Sequence, residues 1–303
     1  MSVIKALACI TLALSFAPVI KAETRCPGNA ASLRFPANPS SLIIVPVMIN
    51  HSGPYQFLVD TGTRITIVDP SLAAELHLIF AGETKMDGIG FTGKTSIAIA
   101  ESLQIGAWSI ENSIVESQDL RTLQAAGYKI QGMIGGSFLE NFDVLIDYAH
   151  NMLCLDGTKT MRRSVTGARV KTETLTAKAD EVPMTGLVIV PVYLSGSGNV
   201  PLHLAFDSGA TEPFLYAPGK FLPIESLISQ PARSTDGLKR GYFVLPPQKM
   251  QIGPLNLQQV TFVAPSSTES SSPKVPLDGL LAASLFRRVF ISYSDHFVIL
   301  EVR

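Results

Sequence analysis

The chain has 303 residues, enough for two domains of ordinary size. Apolar residues make up 46 %, and 24 Lys and Arg nearly cancel 25 Asp and Glu. That balance argues against nucleic acid, an anionic membrane surface or a strongly charged substrate as partner. Frequent Gly and Pro between short apolar runs point to a mainly β protein with many turns.

Residues 1–22 read as a secretory leader: Lys5, an apolar stretch from Ala6 to Ile20, then small Ala22 before Glu23-Thr24-Arg25. The apolar run falls short of the ~20 residues needed to span a bilayer. The expected locale is the periplasm or the extracellular space, without membrane attachment once the leader is cut. Cys26 and Cys154 are then the remaining thiols. In an oxidising compartment they can pair; equally, Cys154 in Met152-Leu153-Cys154-Leu155 can be plain core, because spacing does not fix connectivity.

Residues 23–40 look like an irregular arm, and strand-like sequence begins at Ser41. Leu42 to Ile49, the turn His51-Ser52-Gly53-Pro54 and the apolar run up to Val59 read as a β-hairpin leading to Asp60-Thr61-Gly62-Thr63. Asp69 suits a helix N-cap and Pro70 the first helical position, predicting a helix to Leu76. Asp87-Gly88-Ile89-Gly90-Phe91-Thr92-Gly93 marks a second hairpin with an aromatic residue near its tip. A helical turn is expected after Gly136, over Ser137 to Phe142, with a counterpart at Ser284 to Arg288. The Thr-, Lys- and Ala-rich stretch 164–182 reads as a connection.

The chain then repeats itself. Asp60 and Asp207, Gln104-Ile105-Gly106 and Gln251-Ile252-Gly253, and Gly132-Met133-Ile134 and Gly279-Leu280-Leu281 all stand 147 positions apart; Ile146-Asp147-Tyr148 and Ile291-Ser292-Tyr293 stand 145 apart. Two homologous lobes are expected, 41–163 and 183–303. The second contains Asp207-Ser208-Gly209-Ala210 and a weaker hairpin, Asp236 to Phe243, broken by Leu245-Pro246-Pro247.

An Asp among apolar strand residues is costly to bury ionised and alone. One such turn would be no more than a carboxylate accepting backbone N–H bonds. Two at matching places form a pair that cannot both ionise readily, so that they share a proton as acid and base. Thr61 and Ser208 can tie the turns together, and Gly62 and Gly209 allow close approach. The Thr63 hydroxyl can bond to Asp60; Ala210 has no hydroxyl to offer Asp207.

These pieces resemble the aspartic proteases: Leu58-Val59-Asp60-Thr61-Gly62-Thr63, the Gly88–Gly93 hairpin and Met133-Ile134-Gly135, then Ala205-Phe206-Asp207-Ser208-Gly209-Ala210 and Leu280-Leu281-Ala282. The run Gly132 to Leu139 and the lobe size look more like bacterial retropepsin-type proteins than pepsins, although both halves stand in one chain. The resemblance implies an all-β acid-protease fold, with two closed-barrel-like lobes and a cleft between them. It implies an endopeptidase, a monomer acting on peptide or protein, with Asp60 and Asp207 catalytic and no cofactor. Gly88, Gly90, Phe91 and Tyr242 would belong to flaps over the substrate. Ala282 departs from the pattern, which has Gly there to let the strand pass close to the catalytic turn.

Other chemistries fit less well. The five His are scattered, with no metal-ligand spacing. Gly88 to Thr95 spells nucleotide-loop letters, but the alternating Ser96 to Ala100 that follows is a strand where such a loop needs a helix. Ser137 and Ser284 lack the Gly-x-Ser-x-Gly frame. The competing reading is a protease-like protein that binds peptides and has lost turnover.

Overall fold

The structure, a computed structural model, describes residues 25–28, 30–38, 40–88, 91–177, 182–183, 186–220, 242–265 and 276–303. The expected leader, Gly90 and the Asp236–Gly241 part of the second hairpin lie outside the described residues.

In the first lobe six strands close into a ring. Ile44–Ile49 pairs antiparallel with Ser52–Val59, which runs parallel to Gly132–Ile134. Gly132–Ile134 pairs with Thr66–Val68, and Thr66–Val68 with Trp108–Ser117. Trp108–Ser117 pairs with Phe91–Ile105, which returns to the first strand at Met48 opposite Gln104. The alternation explains the closure. Val45, Val47 and Ile49 are buried inside the ring, while Pro46 between them is exposed. Ile79–Gly88 adds to the outside of Phe91–Ile105 as the expected hairpin, with Gly88 opposite Phe91.

The second lobe repeats the order: Ile189–Leu194, Leu202–Asp207, Gly279–Ala282, Phe214–Leu215, Val263–Pro265 and Tyr242–Val244 follow one another as neighbours. Here the counterpart of Phe91–Ile105 is split in two. Tyr242–Val244 and Gln248–Ile252 are separated by Leu245-Pro246-Pro247, because proline has no N–H for the ladder. The Leu245 N–H still reaches the Phe262 carbonyl at 2.8 Å, and Gln248–Ile252 still pairs with Ile189–Leu194. The repeat extends to side chains: Gln104 donates to the Gly106 carbonyl, and Gln251 to the Gly253 carbonyl.

A six-stranded sheet joins the lobes. Its order is Ala31–Arg34, Met152–Asp156, Asp143–Asp147, Phe286–Ser292, Phe297–Val302, Ala168–Lys171. The centre pairs Leu145 with Phe290, residues 145 apart, so a two-fold relation between the halves passes there. Two expectations are corrected by this sheet. The arm is not wholly irregular, because Ala31–Arg34 pairs with Met152–Leu155. The connection also supplies the opposite edge, where Ala168–Lys171 pairs with Phe297–Leu300. In both strands one residue alone is buried, Leu33 and Val170, so neither shows a convincing apolar alternation.

Cys26 and Cys154 form a disulfide that pins the arm to this sheet. Arg162 crosses between halves, with a bidentate grip on buried Asp143 at 2.8 and 2.9 Å and further bonds to Ser292 and Asp295. Helix is sparse, as expected, but the turn expected over Ser284 to Arg288 is confined to Ala283–Leu285, and Phe286–Ser292 is a strand of the shared sheet. Pro70–Glu75 is capped by Asp69, which accepts from the Ser71 N–H, and Gly136–Leu139 is a single turn. A short helix at Arg121–Ala125 has no apolar stripe and was not foreseen from sequence.

Candidate active site

Each Asp stands where an apolar strand ends against the parallel strand of its own lobe. The Asp60 N–H donates to the Ile134 carbonyl at 2.9 Å, and Asp207 lies in register with Ala282. Asp60 accepts from the Gly62 N–H and from the Thr63 hydroxyl, both at 2.8 Å. Asp207 accepts from the N–H groups of Gly209 at 2.7 Å and Ala210 at 2.8 Å. The expected asymmetry is therefore present: a side-chain hydroxyl on one carboxylate, and the backbone of Ala210 on the other.

Thr61 and Ser208 lock the two turns together by four reciprocal bonds. The Thr61 hydroxyl donates to the Phe206 carbonyl at 2.7 Å and accepts from the Ser208 N–H at 3.0 Å. The Ser208 hydroxyl donates to the Val59 carbonyl at 2.7 Å and accepts from the Thr61 N–H at 3.1 Å. Both side chains are buried, where such bonds are costly to leave unmade.

The glycines explain how close the turns come. A Cβ on Gly62 would lie 2.6 Å from the Asp207 carboxyl carbon, and one on Gly209 would lie 2.8 Å from that of Asp60. Each carboxylate thus backs onto the other lobe's glycine, and the two are hydrogen-bonded to each other. Burial pushes the Asp207 carboxyl well above the usual range; the charge on Asp60 and the bond to it push the same way, against the two N–H donors. Such a pair holds one proton in common.

The two lobes support their turns unequally. A Cβ on Gly135 would lie 2.8 Å from the Thr63 and Ile65 carbonyl oxygens. The N–H groups of Gly136 and Ser137 hold the Thr63 and Arg64 carbonyls at 2.8 and 2.7 Å. Ala282, in the place of Gly135, keeps its methyl fully buried. Among the described residues, Ala283 and Ser284 form no counterpart of these two bonds.

Of the expected flap residues, Gly88 and Phe91 face each other across the first hairpin. Tyr242 stands on the second lobe's wall, its ring edge-on to Phe214 at 5.7 Å. Two groups that served only to align the repeat stand out by their burial. The hydroxyls of Tyr148 and Tyr293 are buried without a hydrogen-bond partner among the described residues. Burial raises both pKa values first; the charge of Asp207 then adds to Tyr148, and those of Glu140 and Asp60 add to Tyr293. Each thus feels the Asp of the other lobe's turn, and their recurrence 145 positions apart was the available signal.

Residues 45–138 match the aspartyl protease family, a stretch that runs from the first strand through Asp60 and the hairpin to the Gly135-Gly136 turn. The likeness to that family thus covers the first lobe, with Asp60, and does not extend to the second lobe, with Asp207. No curated protein matches. A crystal structure of a retropepsin-like aspartic protease from Rickettsia conorii is similar at 19 % identity, covering 42 % of this chain and 90 % of that one, with a TM-score of 0.31.

Proposed function

We propose that the chain is an exported aspartic endopeptidase that cleaves peptide bonds with water activated between Asp60 and Asp207. The observation that carries this reading is the reciprocal Thr61–Ser208 lock, which presses two carboxylates together at the meeting of the lobes. A structural turn would need neither a partner nor a shared proton.

In this reading Asp207 carries the shared proton, in keeping with its raised pKa. Ionised Asp60 takes a proton from the bound water as the water oxygen attacks the carbonyl carbon. Asp207 gives its proton to the carbonyl oxygen as negative charge develops there. Collapse of the tetrahedral species breaks the C–N bond; the proton gained by Asp60 passes to the departing amine, and one hydroxyl of the diol returns its proton to Asp207 as the carboxyl product forms. The Thr63 hydroxyl and Gly62 N–H keep Asp60 oriented, and Gly209 and Ala210 do the same for Asp207. The first hairpin is the flap in this scheme, laid over an extended substrate. Export agrees with the leader-like start and with the Cys26–Cys154 disulfide, a bond that persists in oxidising compartments.

A binding protein without turnover is the second reading, favoured by the buried Ala282 methyl beneath the Asp207 turn. One digestion series separates the two. Purified full chain should degrade an unfolded protein at acidic pH, be blocked by a statine-type peptide inhibitor, and lose activity as Asp60→Asn or Asp207→Asn. Inhibitor binding without cleavage at any pH would favour the binding protein, and cleavage by both variants would remove the dyad mechanism.

A further inference from the structure

The two-fold relation in the shared sheet exposes a difference between the lobes. Arg34 pairs with Met152 as Lys171 pairs with Phe297. The next residues make matching bonds, Phe35 N–H to the Asn151 carbonyl and Thr172 N–H to the His296 carbonyl, both at 3.0 Å. Phe35 and Thr172 are therefore equivalent positions. Phe35 is buried, its ring edge-on to Tyr148 at 6.4 Å and 74°. Thr172 has no ring, and a cavity of about 250 Å³ opens between it and Tyr293, the counterpart of Tyr148.

The missing phenyl ring is smaller than this space, since a cavity of roughly 150 Å³ can hold a benzene. Leu187, Val188 and Ile291 give the cavity apolar walls, and Glu140 and Glu173 stand at it as carboxylates. Glu173 already holds His203 at 3.1 Å. Glu140 is exposed, and its carboxylate makes no ion pair among the described residues. No Lys or Arg lines the space, though His296 does. None of Asp60, Asp207 and their turn residues lines it.

We infer that this cavity binds a small arylalkylamine, its ring taking the place over Tyr293 that Phe35 takes over Tyr148 and its ammonium group meeting Glu140. The walls supply the apolar contact, and a cation at Glu140 meets a carboxylate with no competing partner.

Phenethylamine is the probe, titrated into the full oxidised chain at neutral pH and followed by calorimetry and by thermal shift. Saturable binding with one site is expected. Thr172→Phe, which installs the first lobe's own residue, should abolish it. Glu140→Gln, an exposed and conservative change, should weaken it about tenfold, and phenethyl alcohol should bind about as weakly to the wild type as phenethylamine does to that variant. Absence of saturable binding overturns the proposal. Binding unchanged in both variants also overturns it, since it would place the amine elsewhere, and displacement by a statine-type inhibitor would assign it to the catalytic cleft instead.

Discussion

At the scale of single residues, the site depends on protons and hydroxyls. Asp207 holds its proton more tightly in the folded chain than an ordinary Asp does unfolded. Its contribution to stability is therefore full below the ordinary Asp range, about pH 4, and is lost as pH rises through the raised value. Thermal unfolding of the wild type should fall, relative to Asp207→Asn, as pH rises from that range; parallel curves would contradict the shift. Thr61 has a different task. Thr61→Val keeps the shape but strands the Phe206 carbonyl and Ser208 N–H. A loss of about 1–3 kcal/mol is expected in denaturant unfolding, together with reduced turnover. The carboxylates and hydroxyls were legible in the sequence because each occurs twice at one spacing. The unpartnered tyrosine hydroxyls were not, because only a three-dimensional count of donors and acceptors shows that Tyr148 and Tyr293 lack partners.

At the scale of elements, the first lobe is the tighter. Its Asp60 turn is held from below by Gly135, Gly136 and Ser137. Gly135→Ala would drive a methyl into the Thr63 and Ile65 carbonyls, and overpacking of this kind costs about 1–3 kcal/mol. We expect a lowered melting temperature and a larger proportional loss in kcat than in KM, because Thr63 orients Asp60. An unchanged kcat would show that the turn does not depend on this support. The hairpins and the Asp69-capped helix followed from turn and cap residues that act locally. The edge strands Ala31–Arg34 and Ala168–Lys171 escaped sequence reading because their strand character comes from distant partners, Met152–Leu155 and Phe297–Leu300. The split of the second lobe's long strand was foreshadowed by Pro246-Pro247, although its effect on the ring needed the pairing to be seen.

At the scale of the whole molecule, the lobes are one structure because they share a sheet. The arm before the first lobe and the stretch after it are the two outer strands of that sheet, so neither half holds all of its own pairing. The disulfide fastens one outer strand across a sequence separation of 128. In the chain-entropy view, closing a loop of that size stabilises by about 4–5 kcal/mol. The double variant Cys26→Ser, Cys154→Ser should unfold at markedly lower denaturant concentration, and the wild type should match it when reduced; equal midpoints for oxidised and reduced wild type would contradict the assignment. The two-lobe plan was readable from the repeat. The pairing of the thiols was not, since spacing left a core Cys154 equally open.

In the function proposed, Asp60 and Asp207 work as one acid–base pair. The pH dependence of kcat/KM on a soluble peptide tests it most directly. The pair predicts a bell, with activity falling on the acid side as the second carboxylate takes up a proton and on the alkaline side as the shared proton is lost. Either Asp→Asn substitution should remove activity throughout. A profile with a single limb, or a bell that survives Asp207→Asn, would contradict it.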